Sequence, residues 1–499
     1  MNQSTRSQPT NERPRVAVVG GGITGLAAAH RVLELLPHTE LLLLEASARL
    51  GGVLDTIHRD GFLVERSADN FLTKMPWAVE LCSRLGLADQ LLPTDESRRR
   101  AYVVRDGELL PVPDGFVLMK PGKLRPLVSS PILSWRGKLR LLAEPWVRRR
   151  MTFGAAAAGI SDDESVAAFA ARRLGREAFE RLVQPLVAGI YTADPDKLSM
   201  AATLPELLAM ERDHGSLYRA SRHGASDATA QQTEGESGAR YSLFVAPQHG
   251  MGSIVAALAD RLPDGAVRRG IPVSAVRRDA ASWILDTDGA APSGVRQQFD
   301  AVIIALPAYA AANLFSQSVP PLADLLAQIE YAGCAVVSLA YQSRQFGRPL
   351  SGFGFVVPRA ERRRIIAASF ASEKYADRAP DDCTLVRAFI GGALQPELLD
   401  QNEERLVALA HAELSDLLKL RGQPLWFDLA RWPRSMPQYH VGHLDRVARI
   451  EAAVNELPGI ELAGNAYRGV GIPQCVHSGE SAAERIVEQL RDFNQRNPS

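Results

Sequence analysis

Three patterns of apolar and polar positions divide the chain. Arg15 to Gly20 (RVAVVG) is a continuous apolar run ending in glycine, which predicts a parallel strand buried on both faces. Ile23 to Leu36 places Ala and Leu at helical spacing and stops at Pro37, so it predicts a helix. Glu40 to Glu45 (ELLLLE) predicts the next strand. This strand–helix–strand unit has the length that a right-handed crossover requires.

Residues 75–215 are rich in Ala, Leu and Arg and predict mainly helix. Ala220 to Ala239 contains no Val, Ile, Leu or aromatic residue. It cannot bury enough apolar surface to offset its ordering entropy, so it is expected as a flexible surface loop. Farther on, Gly252 to Leu262 predicts a helix, and Gly270 to Val276 with Ser282 to Asp288 a pair of strands. Asp300 to Leu306 predicts a buried strand, Glu461 to Gly464 a short one, and Pro473 to Leu490 a final helix. No internal repeat occurs. The expected class is α/β in the first part and α+β overall. The expected division is a disordered tail (1–12), a dinucleotide-binding domain (13–74, 241–308 and 456–493), a helical domain (75–219), a flexible loop (220–240) and a substrate-binding domain (309–455).

Composition narrows the function. Lys+Arg and Asp+Glu both number 57, so no net charge favours nucleic acid as a partner. The four cysteines, Cys82, Cys334, Cys383 and Cys475, form no CxxC pair and have no metal-ligand spacing. No metal is expected, and a reducing cytoplasm fits best. The first fifteen residues lack an apolar core, so no secretory signal is expected. No stretch approaches the roughly 20 apolar residues of a membrane span. Ser134 to Arg150 mixes Leu and Trp with basic residues; it reads either as a peripheral membrane contact or as a solvated basic helix. A homodimer is left open.

Gly20, Gly22 and Gly25 form G-x-G-x-x-G between the predicted strand and helix, and Glu45 ends the next strand twenty residues after Gly25. That context is the dinucleotide-binding fingerprint. Gly20 permits the tight turn, Gly22 lets backbone approach the pyrophosphate, and Gly25 lets the helix close on the sheet. Gly21, Ile23 and Thr24 complete the loop, whose N–H groups and helix dipole favour phosphate. Glu45 can accept hydrogen bonds from the adenosine ribose. Beyond it come Ala46, Arg49, Gly51 and Gly52, a second glycine pair. At the other end, Val470, Gly471 and Ile472 precede Pro473, a residue suited to a helix's first turn. Such a terminus would stabilise negative charge on a reduced cofactor ring.

VAVVGGGITGLAAA, LLLLEASARLGG, GFGFVVP with a later RAP, FIGG, RWPRSMPQY and GNAYRGVGIPQC together resemble the oxygen-dependent protoporphyrinogen and coproporphyrinogen oxidases of haem biosynthesis. The resemblance covers nearly all the chain outside the tail and residues 220–239. It implies a Rossmann-like FAD-binding domain of the flavin amine oxidase type, a substrate-binding lobe and a helical lobe. It implies FAD as cofactor, a porphyrinogen as substrate and molecular oxygen as acceptor.

Carried over residue by residue, it assigns the residues of the two glycine motifs and Glu45, Ala46 and Arg49 to FAD. Ser67, Ala68, Asp69 and Asn70 match a segment near the flavin, although the family's usual Gly-Pro is here Ser67-Ala68. Val273 matches a backbone contact to adenine, and Trp432 with Val470 to Ile472 match the flavin lining. On the substrate side, Phe389 and Val356 match residues packing on the macrocycle, and Gly189 matches a backbone position near the reacting carbon. Plant-type members hold a propionate with an arginine where this chain has Ala101; Arg100 is the nearest substitute in sequence. The alternative for Phe389, Val356, Gly189 and Trp432 is a structural role, and the arginine run Arg98 to Arg100 is more often a solvated face. An amine oxidase or carotenoid desaturase, or a non-enzymatic FAD- or porphyrin-binding protein, is the alternative reading. GNAYRGVGIP offers only Tyr467 toward an amine oxidase's aromatic cage. Between the two porphyrinogens, the basic run and the GVGIPQC stretch favour coproporphyrinogen III over protoporphyrinogen IX.

Overall fold

In the computed structural model, residues 13–95, 98–117, 119–121, 124–150, 163–227, 244–280, 282–287 and 297–496 are described. The expected tail (1–12) and residues 228–240 of the expected loop lie outside them. The chain divides into two compact units.

The first unit holds the residues up to Gly52, Ile254–Gln328 and those from Ala448 onward. Its centre is a five-stranded sheet in the order Val267–Arg269, Glu40–Glu45, Arg15–Val19, Ala301–Ile304, Ile460–Leu462. Every pairing is parallel. The Arg15–Val19 and Ala301–Ile304 strands at the centre are apolar because both faces are covered: Val16, Ala17 and Val18 are fully buried, as are Val302, Ile303 and Ile304. The Ile23–Leu35 helix packs against the final helix, Ile472–Arg496. They approach so closely that a Cβ on Gly479 would fall 2.2 Å from the Thr24 carbonyl oxygen. Val273–Asp279 and Ser282–Thr287 pair antiparallel, and Gln297–Phe299 joins them.

The second unit holds 53–253 and 329–447. Its main sheet has seven strands in the order Trp426–Pro437, Tyr331–Gln342, Cys383–Gly391, Ala367–Phe370, Gly354–Val356, Ala101–Arg105, Glu108–Pro111. One face is the hydrophobic core: Ala335, Val337, Leu339, Val386, Ala388 and Ile390 pack with Leu406, Ala410 and Leu414 of the Glu403–Leu418 helix.

Three expectations are corrected. Residues 75–215 are not mainly helical throughout, since strands run at Leu91–Pro93, Ala101–Arg105, Glu108–Pro111, Phe116–Val117 and Lys120–Pro121. Ala101–Arg105 pairs with Gly354–Val356 some 250 positions away, so residues 75–219 and 309–455 share one sheet rather than forming separate lobes. Nor is 220–227 loop: the Leu217–Asp227 helix covers it. That helix is set upstream, where Leu217 is fully buried and the Glu144 carboxylate accepts from Ser216 Oγ (2.6 Å) and Leu217 N (2.9 Å).

Candidate active site

In the first unit the two glycine motifs face each other. Gly20 has φ +108°, and a Cβ there would meet the Ala305 carbonyl oxygen at 2.5 Å. A Cβ on Gly25 would lie 1.9 Å from the Gly20 oxygen, so Gly25 is required by the turn itself. Gly22 is different. The nearest atom to a Cβ there is Gly52 Cα at 4.0 Å, so it borders open space. Gly51 N donates to Gly21 O at 2.8 Å, and Gly51 and Gly52 both have positive φ. Arg49 donates to the Leu50 and Gly52 carbonyls and holds this second turn closed. Gly22 starts the Ile23–Leu35 helix, and no side chain caps that end.

Glu45 accepts from Gly21 N (2.6 Å) through one oxygen and from Ser47 N (2.8 Å) through the other. It is thus pinned at the strand end beside the glycine loop, next to Ala46. Gly270 N and Ile271 N donate to the Ser47 and Glu45 carbonyls at 3.0 Å each, which brings the chain leading to Val273 to the same end of the sheet. At the C-terminal motif, Ile472 opens the final helix with Pro473 next, one residue earlier than expected. Gly469 has φ +124°, and the turn 469–471 wraps the Gln474 side chain. Cys475 hydrogen-bonds Thr24, and burial pushes its thiol up to about 11. The loop therefore offers glycine backbone, an uncapped helix end and a fixed carboxylate, which fit a dinucleotide's pyrophosphate and ribose.

In the second unit, strand register gathers the substrate-side residues. Val356 pairs with Ala367, and Ala367 with Phe389; Phe389 pairs with Val336, and Val336 with Ala430. Side chains alternate along a strand, so this row lies on the face opposite the Glu403–Leu418 helix. Trp432, two residues beyond Ala430, is on the same face. Phe389, Val356 and Trp432 are half-buried. A Cβ on Gly189, at the end of the Gln184–Tyr191 helix, would touch Val356 Cγ1 at 3.4 Å. Gly189, Val356 and Phe389 thus come together from three distant stretches.

Arg100 is not on this face. It precedes the Ala101–Arg105 strand, its side chain is exposed, and its carbonyl accepts from Phe353 N at 2.7 Å. Arg98 pairs with Glu373 instead.

The next row on the same face is polar: Asp428, Ser338, Arg387, Ser369. Sequence reading missed Arg387. Its signal was a lone cation two positions before Phe389 in an otherwise apolar strand, LVRAFIGG. Only 1% of its side chain is exposed. The Ser67–Asn70 segment lies against this row. Arg387 donates to the Ser67 carbonyl and pairs with Asp69 at 3.0 Å, and Lys374 Nζ reaches the same Asp69 oxygen at 3.0 Å. Trp432 Nε1 donates to the Arg66 carbonyl at 2.8 Å. Burial alone would raise the Asp69 carboxyl, but Lys374 and Arg387 outweigh it and hold it at about 2. Glu65, at the end of the Phe62–Glu65 strand, accepts from Thr56 Oγ1 and Met251 N, yet burial dominates and lifts it to about 7. Among the described residues, no cluster of His, Cys, Asp or Glu could hold a metal ion.

A parallel-sheet unit with this glycine loop, joined in one chain to a large mainly antiparallel sheet, defines an oxidoreductase that uses a dinucleotide cofactor. The comparisons specify it: the family model for flavin containing amine oxidoreductase matches residues 23–487, and the chain belongs to that family. Its cofactor is FAD. The coproporphyrinogen III oxidase of Bacillus subtilis is 32% identical over 96% of this chain and 99% of its own. The chloroplastic protoporphyrinogen oxidase of Nicotiana tabacum is 29% identical over 95% of this chain and 86% of its own. A crystal structure from Exiguobacterium, provisionally described as a protoporphyrinogen oxidase, superposes with a TM-score of 0.83 at 29% identity, covering 96% of this chain and 99% of that one.

Proposed function

We propose that this chain oxidises a porphyrinogen to the porphyrin, with molecular oxygen as the final acceptor. The observation that carries the reading is the convergence of Gly189, Val356 and Phe389 on one sheet face. Bound FAD would supply the two-electron oxidation that converting a porphyrinogen to the porphyrin needs three times, with oxygen as final acceptor. The chain's own work is to bind and orient. Phe389 and Val356 give the flexible macrocycle an apolar wall, and Gly189 leaves room for it to approach. In the first unit Gly20 to Gly25, Glu45, Ala46, Arg49, Gly51, Gly52 and Val273 would hold the pyrophosphate and adenosine of FAD; in the second, Trp432 and Ser67 to Asn70 match residues near a flavin. Val470, Gly471 and Ile472, at a helix start, would offer N–H groups to the reduced ring. The decisive experiment is an absorbance spectrum of the purified protein with a turnover assay that follows porphyrin and peroxide together. A flavin-loaded protein that yields no porphyrin, beside a positive amine panel, would overturn the reading.

Coproporphyrinogen III is the favoured substrate, as the Bacillus relative's name suggests. Discrimination is defined by the ratio of kcat/KM values, so the test is that ratio for coproporphyrinogen III against protoporphyrinogen IX. A ratio in favour of the latter would reverse the preference.

A peripheral membrane contact belongs to the same reading. No helix among the described residues is long and apolar enough to cross a membrane. Yet Trp135 and Leu139, on the Trp135–Leu142 helix, and Trp146 are 66%, 58% and 77% exposed. Arg136 lies over the Trp135 ring, and Arg148 to Arg150 follow, exposed. Such a surface suits an anionic lipid interface. Co-sedimentation with anionic but not neutral vesicles, lost on Trp146→Ala, would support it; no sedimentation with either would refute it.

A further inference from the structure

Arg66 to Asn70 has no regular secondary structure and runs between two strands, Phe62–Glu65 and Phe71–Leu72. Its path is fixed by side chains from elsewhere in the fold. Trp432 Nε1 holds the Arg66 carbonyl, Arg387 holds the Ser67 carbonyl, and Arg387 and Lys374 share Asp69 Oδ2. The Arg387 guanidinium also lies 5.3 Å over the Phe389 ring. One buried cation therefore touches both the segment matched to the flavin and the aromatic matched to the substrate.

The related family usually has Gly-Pro where this chain has Ser67-Ala68. A proline fixes its own φ and restricts the residue before it; Ser-Ala does neither. A planar guanidinium can donate to a carbonyl and a carboxylate at once while stacking on a ring, which a lysine cannot.

We infer that Arg387, aided by Lys374, is a positioning residue: it holds Ser67 to Asn70 in the conformation that receives the flavin, and links that segment to Phe389. The inference rests on the flavin reading of Ser67 to Asn70 proposed above. It assigns Asp69 a structural role, as the anion by which the segment is held.

The test uses the full chain stripped of FAD and titrated with it. Arg387→Lys keeps the charge but loses the fork. It should weaken FAD binding by about tenfold or more and alter the flavin absorption bands, while KM for the porphyrinogen changes far less. Adding Ser67→Gly with Ala68→Pro to Arg387→Lys should recover most of the lost affinity, because the segment then stiffens itself. A salt bridge that merely stabilised the fold would not be rescued this way. Unaltered FAD affinity and spectrum in Arg387→Lys, or a loss that the Gly-Pro pair leaves uncorrected, would overturn the inference. Where Arg387→Lys does not fold, Asp69→Asn, which keeps the shape and removes the charge, decides by the same readouts. A wild-type protein that binds no FAD would instead sink the flavin reading itself.

Discussion

Glycine and side chain divide the work differently in the two units. Around Gly20 to Gly25 the site is made of backbone: tight turns, N–H groups and one pinned carboxylate. On the seven-stranded sheet it is made of side chains that share a face, one row apolar and the next charged. The first kind of site is local, and its turn glycines Gly20 and Gly25 tolerate no Cβ. The second is assembled by strand pairing across the chain and is sensitive to which side chain stands there.

The comparison is broken most sharply at the glycines. Gly25→Ala should unfold the turn, because its Cβ would collide with the Gly20 carbonyl oxygen at 1.9 Å. We expect loss of flavin and a large drop in Tm together. Gly22→Val should lose flavin and leave the apoprotein's Tm nearly unchanged, since the space beside Gly22 holds no protein atom closer than 4.0 Å. Calorimetry with and without FAD separates the two. Equal losses of stability in both variants would mean that Gly22, too, serves only the turn.

Two carboxyls, Glu65 and Asp69, make a pH prediction. Glu65 is raised to about 7 by burial, so the folded state binds its proton more tightly than the unfolded chain does. Its contribution to stability is greatest below the unfolded carboxyl range. It declines as pH rises through the interval up to about 7, by on the order of 3 kcal/mol at most. Glu65→Gln should flatten that decline in urea unfolding between pH 5 and 8. Asp69 acts in the opposite sense: held at about 2, its contribution is present above the unfolded value and fades only in strong acid. A Glu65→Gln profile as steep as wild type would place the responsible group elsewhere.

The difference between the units also explains what was legible. VVGGGITG, its strand and helix, and Glu45 lie within some thirty residues, and each has a local signature; the structure forms them with boundaries shifted by a residue at most. The paired strands after Gly270 and the final helix were legible for the same reason. Ala101–Arg105 was not, because what makes it a strand is Gly354–Val356, far along the chain. Arg387 was hidden by the same distance: only register shows that it stands between Ser338 and Ser369 and faces Asp69. Arg100, picked for its nearness in sequence to a family position, is exposed and off the face. Leu217–Asp227 was missed because its polar composition hides the buried anchor at its start.

On the apolar row, Phe389→Ala should cost roughly 1–3 kcal/mol in porphyrinogen kcat/KM, the worth of a stacked aromatic in an apolar slot. Flavin content should stay full, since the glycine loops and the Arg387 contacts to Ser67 and Asp69 are left in place. Kinetics beside a flavin-to-protein absorbance ratio reads both quantities. Unchanged kinetics would make Phe389 a core residue that happens to be half-buried.

The smallest expected effect is at Gly189, in the second unit. This glycine sits in the last turn of the Gln184–Tyr191 helix, and its φ is not positive, so the backbone there does not demand glycine. A Cβ would make only ordinary contact with Val356 Cγ1, at 3.4 Å. By helix propensity alone, Gly189→Ala should stabilise the protein by about 0.5–1 kcal/mol. If the glycine is kept for the substrate's approach, the added methyl stands on the exposed side, in the macrocycle's path. The expected outcome is therefore a protein with a slightly higher Tm and a lower kcat for the porphyrinogen. A higher Tm with undiminished kcat would show that nothing needs that space, and the convergence of Gly189 with Val356 would then be packing alone.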